Sequence, residues 1–492
     1  MSPGTLSLVA LAAPVAAGVA ALVVPRKLAG WVAFPAAAVA VWAVAGVLRA
    51  VLGGVAVEQQ LLGLTPTLPL AFRVDALGVT FAMLAAGLWL VASVYAAGYA
   101  EATKLKHPRR FFAAFAVSIA CATGVAFAAD LLTFFVFYEL LTVATYPLVV
   151  HQETARAYAA GRRYLLFALG GGLALLVAVI WTWQATGALA FRAGGMLAGS
   201  EVATSAALLA LFLLGVAVKA AVMPLHAWLP GAMVAPTPVS ALLHAVAVVK
   251  AGVFGLLRVV GFVFGPDAFI ATGGRTALMA AALLTIVAGS VIALRQEHLK
   301  RRLAYSTIVH LSYIALGAAL ATPAAFAGAT VHLVNHGLAK ITLFFAAGSI
   351  YAATKAEGIG ELAGLGRRMP WTFGAFTVAA IALMGIPGLA GFPGKLLLAR
   401  GAVEADAVLA LFVLLGASIF TAAYLLPILR IAYFPDAERI GAQAQVESRW
   451  PLVLPLVLTA VATVLFGWWA PALAVQSALA DAAAQAVFGV GQ

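Results

Sequence analysis

The sequence predicts an all-α, polytopic membrane protein of about fourteen transmembrane helices, and three observations predict it. Hydrophobic residues make up 64% of the chain and charged residues only 9%, where a soluble globular chain carries about 25% charged residues. Apolar runs of about 20 residues, the length a helix needs to cross the hydrocarbon, recur from end to end. Lysine and arginine then alternate between connecting loops in a way that tests the number of crossings. The 492 residues therefore form one continuous membrane domain, and division by the length of soluble domains does not apply.

In order, the spans read as 5–24, 31–53, 76–99, 111–129, 131–150, 164–186, 204–229, 236–262, 271–294, 303–321, 325–353, 371–399, 404–433 and 451–471. The first lacks a basic start and leads into another span, so it reads as a retained helix and not a signal peptide. The tail 472–492 reads as a short amphipathic or frayed end. Loops after odd-numbered spans hold eighteen basic residues: Arg26 and Lys27; Lys104, Lys106, Arg109 and Arg110; Arg156, Arg162 and Arg163; Arg295, Lys300, Arg301 and Arg302; Lys355, Arg367 and Arg368; Arg439 and Arg449. The opposite side holds six: Arg49, Arg73, Arg192, Arg258, Arg275 and Arg400. This asymmetry places the odd loops in the cytoplasm and both termini on the outer side of a bacterial-type inner membrane.

Topology thus accounts for most of the net charge of +12, and nucleic acid is not an expected partner; the lipid bilayer is. The single cysteine, Cys121, rules out a disulfide framework and a cysteine-held cluster contained within this chain. No Gly-rich phosphate loop follows a strand, and no zinc-type motif is present. The expectation is no cofactor, no metal site and no catalytic residue.

The stretch 214–258, LGVAVKAAVMPLHAWLPGAMVAPTPVSALLHAVAVVKAGVFGLLR, organises the remainder. Lys219 and Lys250 sit inside its apolar runs, and between them lie His226, His244 and the prolines Pro224, Pro230, Pro236 and Pro238. A lysine at bilayer depth costs roughly 2.5–3.5 kcal/mol on insertion scales, so it needs a partner or a wet cavity. Proline removes a backbone donor, and such breaks survive in membranes only where protein or water satisfies the freed groups. Span seven breaks at Pro224, and span twelve breaks at Pro387 and Pro393, just before Lys395. The breaks are five spans apart. An odd offset inverts orientation, the pattern of inverted repeats with discontinuous helices seven and twelve. The two five-helix units would be 111–262 and 271–433, flanked by 1–110 and 451–492. Pro-Gly breaks without any repeat are the plain alternative.

Glu139 is the one acidic residue well inside a span, against four lysines there: Lys219, Lys250, Lys340 and Lys395. Side by side, a buried carboxylate and a buried lysine each favour the charged form of the other, so an arriving or departing proton switches the pair. A structural ion pair joining two helices is the alternative. The other lysines have no carboxylate to meet, and lysine and histidine both relay protons. His332, His336 and Lys340 follow one another at i, i+4 spacing on one helix face, and His336 and Lys340 are the stronger path candidates. His310 lies about two turns in from a basic loop; it suits a mid-path group, or a packing histidine bonded to Ser306 or Ser312. His226, His244 and His332 are secondary candidates. Gly170, Gly171 and Gly172 read as close helix packing.

HAWLPGAMVAPTPVSALLHAVAVVKAG closely resembles the signature of the proton-translocating antiporter-like family. That family includes large subunits of Mrp-type cation/proton antiporters and antiporter-like subunits of respiratory complex I and related hydrogenases. FFVFYELL is similar to the segment holding the family's span-five glutamate, here Glu139. LLGVAVKAAVMPLHAWLP and LLHAVAVVKAG resemble the segments with the span-seven and span-eight lysines, here Lys219 and Lys250. KRRLAYSTIVHLSY, HLVNHGLAKITLFFAAGSI and GIPGLAGFPGKLLL supply His310, then His336 and Lys340, then Lys395. The resemblance covers roughly spans four to thirteen. It implies a hydrated mid-membrane proton path through these seven residues, other subunits of a hetero-oligomeric membrane complex as partners, and protons with Na+ as the transported ions. Such a chain is one subunit of a secondary ion transporter, not an enzyme. The chain lacks the long lateral helix of the largest members, which resembles D-type Mrp subunits or the medium-sized complex I subunits; Lys395 stands where M-type complex I subunits carry glutamate, which favours the D type. Gly388 follows Pro387 where many relatives have a second proline. A proton-pumping arm of a complex I-like or hydrogenase-like redox enzyme is the alternative.

Overall fold

The computed structural model describes the whole chain except residues 66–67, 435–445 and 490–492, so Arg439 lies outside the described residues. Apart from one short hairpin the fold is helical. It comprises α1 (Pro3–Val23), α2 (Ala33–Leu52), strands β1 (Glu58–Thr65) and β2 (Leu68–Arg73), α3 (Ala76–Thr103), α4 (Pro108–Phe127), α5 (Leu131–Val149) and α6 (Ala155–Thr186). There follow α7 (Ala206–Ala220), α8 (Trp228–Gly231), α9 (Thr237–Ala245), α10 (Val248–Arg258), α11 (Pro266–Ala271), α12 (Gly274–Leu294), α13 (Leu299–Leu320) and α14 (Pro323–Thr354). The chain closes with α15 (Leu365–Arg368), α16 (Pro370–Met384), α17 (Gly391–Glu404), α18 (Val408–Tyr433), α19 (Trp450–Trp468) and α20 (Ala470–Phe488).

Among the described residues, 12 helical segments are long and apolar enough to cross a membrane. The shorter apolar helices α7 and α16 begin the two spans read as discontinuous. α14 lies at the centre of the bundle and packs against α3, α9, α13, α16, α17, α19 and α20. Its 32 residues rise about 48 Å at 1.5 Å each, longer than the hydrocarbon is thick. α1, α2, α6, α18 and α19 line the outside and keep broad exposed apolar faces.

The breaks solve the backbone problem that a membrane imposes. α7 ends at Ala221, whose φ of 55° turns the chain out of the helix. The Val218 carbonyl accepts from the Ala221 N–H at 3.1 Å and from the Trp228 indole at 2.8 Å, and the Met223 N–H donates to the Thr285 hydroxyl at 3.0 Å. In span twelve, Gly385 and Gly388 take φ of 87° and 86°, a region closed to proline, so the glycine after Pro387 is a requirement of this turn. The Ala390 N–H is satisfied by the Thr463 carbonyl at 3.0 Å. Pro224 and Pro387 lie in the non-helical turns, whereas Pro393 lies inside a helix. It sits in the first turn of α17, where the missing N–H costs nothing.

Two features add to the sequence reading, and one expectation, the continuity of span eight, needs correction. The all-α fold carries one small addition, a hairpin in which β1 and β2 pair antiparallel with Glu58 opposite Arg73. The tail is a helix rather than a frayed end: α20 packs against α3 and α14, burying Leu479, Ala480, Ala483, Ala484 and Val487. Their i, i+3, i+4 spacing forms an apolar face for that contact. Span eight is also broken. Val246 and Ala247 leave helical geometry between α9 and α10, and both their N–H groups return to the Leu242 carbonyl.

Candidate functional site: a buried line of charged and titratable side chains

α5 starts on the Asp130 carboxylate, which accepts from the Thr133 N–H at 2.7 Å. Two turns on it presents Glu139 toward α6 and α7. The Lys219 ammonium, in the last turn of α7, lies 3.2 Å from Glu139 Oε1. It also donates to the Tyr138 carbonyl and stands 3.4 Å from the centre of the Tyr138 ring, a cation–π contact strengthened by burial. Lys219 is 1% exposed while Glu139 keeps 19%, so the carboxylate is the end of the pair that faces outward. The glycine run of α6 makes this possible. A Cβ on Gly171 would meet Val218, and one on Gly172 would lie 2.6–2.7 Å from the Glu139 carboxylate.

Lys250, Lys340 and Lys395 have no carboxylate within ion-pair distance among the described residues. Carbonyls, hydroxyls and an imidazole serve instead. Lys250 Nζ lies 2.7 Å from the Leu333 carbonyl and 2.8 Å from His336 Nδ1. A charged ammonium has no acceptor, so it donates to Nδ1; a neutral amine can accept from it, and the same contact then carries a proton in either direction. Lys340 donates to Ser306 Oγ at 2.7 Å, and Ser306 is in turn 3.0 Å from the Tyr424 hydroxyl. Lys395 donates to Ser418 Oγ and to the Leu383 and Met384 carbonyls, at 2.8–3.0 Å. Those carbonyls end half-helix α16, where the helix dipole presents its negative pole.

Three histidines cluster among these lysines, and one of them, His336, meets Lys250 directly. His310 Nδ1 is 3.3 Å from His332 Nε2, and the His310 ring stacks on His336 at 5.5 Å between centroids. Tyr313 packs on His310 and His332, and Lys395 Nζ stands 5.3 Å from the Tyr313 ring centre. His310 is therefore bonded to neither Ser306 nor Ser312. His332, a secondary candidate by sequence, is an integral member of the cluster. His310 Nε2, His332 Nδ1, His336 Nε2 and the Tyr313 hydroxyl are buried without a protein partner. His244 is fully buried and stacks on Phe344 at 4.7 Å with neither ring nitrogen bonded. His226 lies half-buried in the turn after α7, its ring 6.2 Å from that of Tyr305, apart from the cluster. No hydrogen bond among the described residues joins Lys219 to Lys250, although the α10 backbone at Gly252 abuts Lys219 and Ala220.

A second ion pair is invisible in the sequence. Arg258, at the end of α10 and 2% exposed, is bound through both terminal nitrogens by Asp75, the N-cap of α3. Arg258 reads as a span-end residue and Asp75 as a loop residue in sequence, and 183 positions separate them.

Broken helices and a largely buried line of cations, imidazoles and one paired carboxylate define an antiporter-like polytopic membrane protein. The chain belongs to the NADH:quinone oxidoreductase/Mrp antiporter transmembrane family, which matches residues 128–421. That match contains all seven path candidates from Glu139 to Lys395. NADH-quinone oxidoreductase subunit N of Desulforudis audaxviator is 30% identical over 82% of this chain and 83% of its own. The A/B chain of a probable K(+)/H(+) antiporter of Rhizobium meliloti is 36% identical over 70% of this chain but only 34% of its own. Among solved structures, a chain of the Mrp complex from Dietzia sp. DQ12-45-1b superposes with a TM-score of 0.86 at 23% identity, covering 100% of this chain and 98% of that one. A chain of an archaeal membrane-bound sulfane sulfur reductase superposes with a TM-score of 0.87 at 24% identity, over 99% and 97%. These two likenesses show the fold.

Proposed function

We propose that the chain is the proton-translocating subunit of a multisubunit monovalent cation/proton antiporter of the Mrp type, with Na+ as the exchanged cation. Protons move along Glu139, Lys219, Lys250, His336, His310, Lys340 and Lys395. The carrying observation is the 2.8 Å contact between Lys250 and His336, which places two exchangeable bases in direct bonding distance inside an otherwise apolar bundle. Spans four to eight and nine to thirteen act as two inverted units, each with a broken helix beside a lysine. Glu139, partly exposed at the α5–α6 edge, is the end of the line open to a neighbouring subunit. Both termini lie on the outer side of a bacterial-type inner membrane.

The test is Na+-dependent proton movement in inverted vesicles expressing the whole native operon, with and without Lys219→Ala. Sodium-driven dequenching of a pH dye should occur and should vanish in the variant. A full sodium response in Lys219→Ala would remove Lys219 from the path. The likeness to subunit N over most of its length favours a second reading, a proton-pumping arm of a redox complex. No sodium response, with pumping driven by a redox donor, would establish it.

Gly172→Ala supplies a separate expectation. The added methyl overlaps only the end of a flexible side chain, so insertion should be normal, while Glu139 is displaced from Lys219. Transport in the same vesicles should fall several-fold at unchanged protein level; unchanged transport would mean that the close Glu139–Lys219 geometry is not needed.

A further inference from the structure

A cavity of about 570 Å³ opens on the face that carries the basic loops, between the first turns of α6, the α8–α9 connection and the start of α13. Its size falls in the range of small-ligand sites. Arg156, Arg163, Lys300 and Arg301 line it with His298, against Glu357 as the one acidic group. Glu357 is itself engaged, with Oε2 3.8 Å from His298 Nε2. Lys300 donates to the Ala235 carbonyl at 3.0 Å, which fixes one cation in the wall. Arg156, Arg163 and Arg301 are exposed to the cavity mouth and make no ion pair among the described residues. The field is felt at His298, outside the spans. Burial first, then Lys300, Arg301 and Arg156, lower its affinity for a proton, against the opposing pull of Glu357.

Like charges gathered around a cavity repel one another unless an anion shares it. Guanidinium groups, with their planar forks of donors, match phosphate oxygens best. α6 extends the same face into the bilayer. Beyond Arg156 and Arg163 it presents Leu166, Leu173, Val177 and Ile180, spaced at three, seven, four and three residues and 47–74% exposed. A headgroup in the cavity would therefore continue directly into an apolar track for acyl chains, as in basic pockets that hold anionic lipids at the cytoplasmic leaflet.

We propose that this cavity binds a phosphate-bearing anion, clamped by Arg156, Arg163 and Arg301, and that a lipid phosphate lays its chains along the exposed stripe of α6. The site is separate from the buried line and does not depend on how that line is used. The experiment takes the purified full-length chain in phosphatidylcholine nanodiscs and measures the unfolding temperature in two arms: phosphatidylglycerol added to the disc, or inorganic phosphate added to the buffer. Phosphatidylglycerol should raise the unfolding temperature, the rise should shrink with salt, and Arg156→Gln/Arg163→Gln/Arg301→Gln should reduce it to less than half. Lys104→Gln/Lys106→Gln, exposed cations on the same face but outside the cavity, should keep it, and Arg301→Lys should keep most of it. A rise with inorganic phosphate alone, lost in the triple variant, would retain the phosphate site and assign its ligand to the soluble phase. No rise in either arm, or an equal loss in the Lys104/Lys106 variant, would overturn the proposal.

Discussion

Glu139→Gln is expected to cut sodium-driven proton movement in inverted vesicles sharply while leaving membrane insertion and protein level unchanged. The amide has the same shape and still fits against Gly172, so the bundle need not repack. What is lost is the charge opposite Lys219, whose remaining contacts are the Tyr138 carbonyl and ring. A hydrogen bond to a charged group contributes about 1.5–3 kcal/mol. At 1.4 kcal/mol per factor of ten, transport should fall at least about 10-fold and up to about 100-fold. Glu139→Asp keeps the charge but draws it back by one methylene, and should lie between the two. Equal protein by immunoblot makes the comparison fair. Wild-type dequenching by the Gln variant would reduce the pair to a structural link between α5 and α7.

The features legible in the sequence are those written in single segments. Span length, the prolines of two breaks, the lone Glu139 and the lysines at helix breaks all stand within a few residues of their cause. The features that are not legible depend on what packs opposite. The i, i+4 spacing of His332, His336 and Lys340 marks one face of α14, but only the fold brings His310 of α13 onto it. That contact turns His332 from a bystander into a cluster member. The hydroxyls beneath Lys340 and Lys395, Ser306 and Ser418, come from other helices and are indistinguishable in sequence from any membrane serine. The break between α9 and α10 has neither proline nor glycine at Val246 or Ala247, so no propensity announces it. The hairpin 58–73 is short, interrupted by Pro69, and reads as a loop between two apolar runs.

The Arg258–Asp75 pair should carry the largest stability effect of any exposed-looking residue. Three aromatic rings, Phe191, Phe254 and Phe262, stand 4.6–5.3 Å from the guanidinium, leaving Asp75 as its only anionic partner among the described residues. The same carboxylate caps α3, accepting from the Gly78 N–H at 2.8 Å. Asp75→Ala removes both functions at once. Breaking a buried pair from one side costs about 3–5 kcal/mol, and losing a cap about 1 kcal/mol. Water reaches Asp75, which is 34% exposed, and lowers the first figure, so a total near about 3 kcal/mol is expected. Asp75→Asn keeps the cap and one hydrogen bond, and should lose less. Asp75→Ala/Arg258→Met removes the stranded cation and lets an apolar chain fill its place among the rings, so it should recover part of the Asp75→Ala loss. Unfolding of the purified protein in detergent gives all three values. The order matters more than the sizes: if the double variant is no more stable than Asp75→Ala, the cost lies in the lost cap or in packing, and the buried charge was never held by its partner.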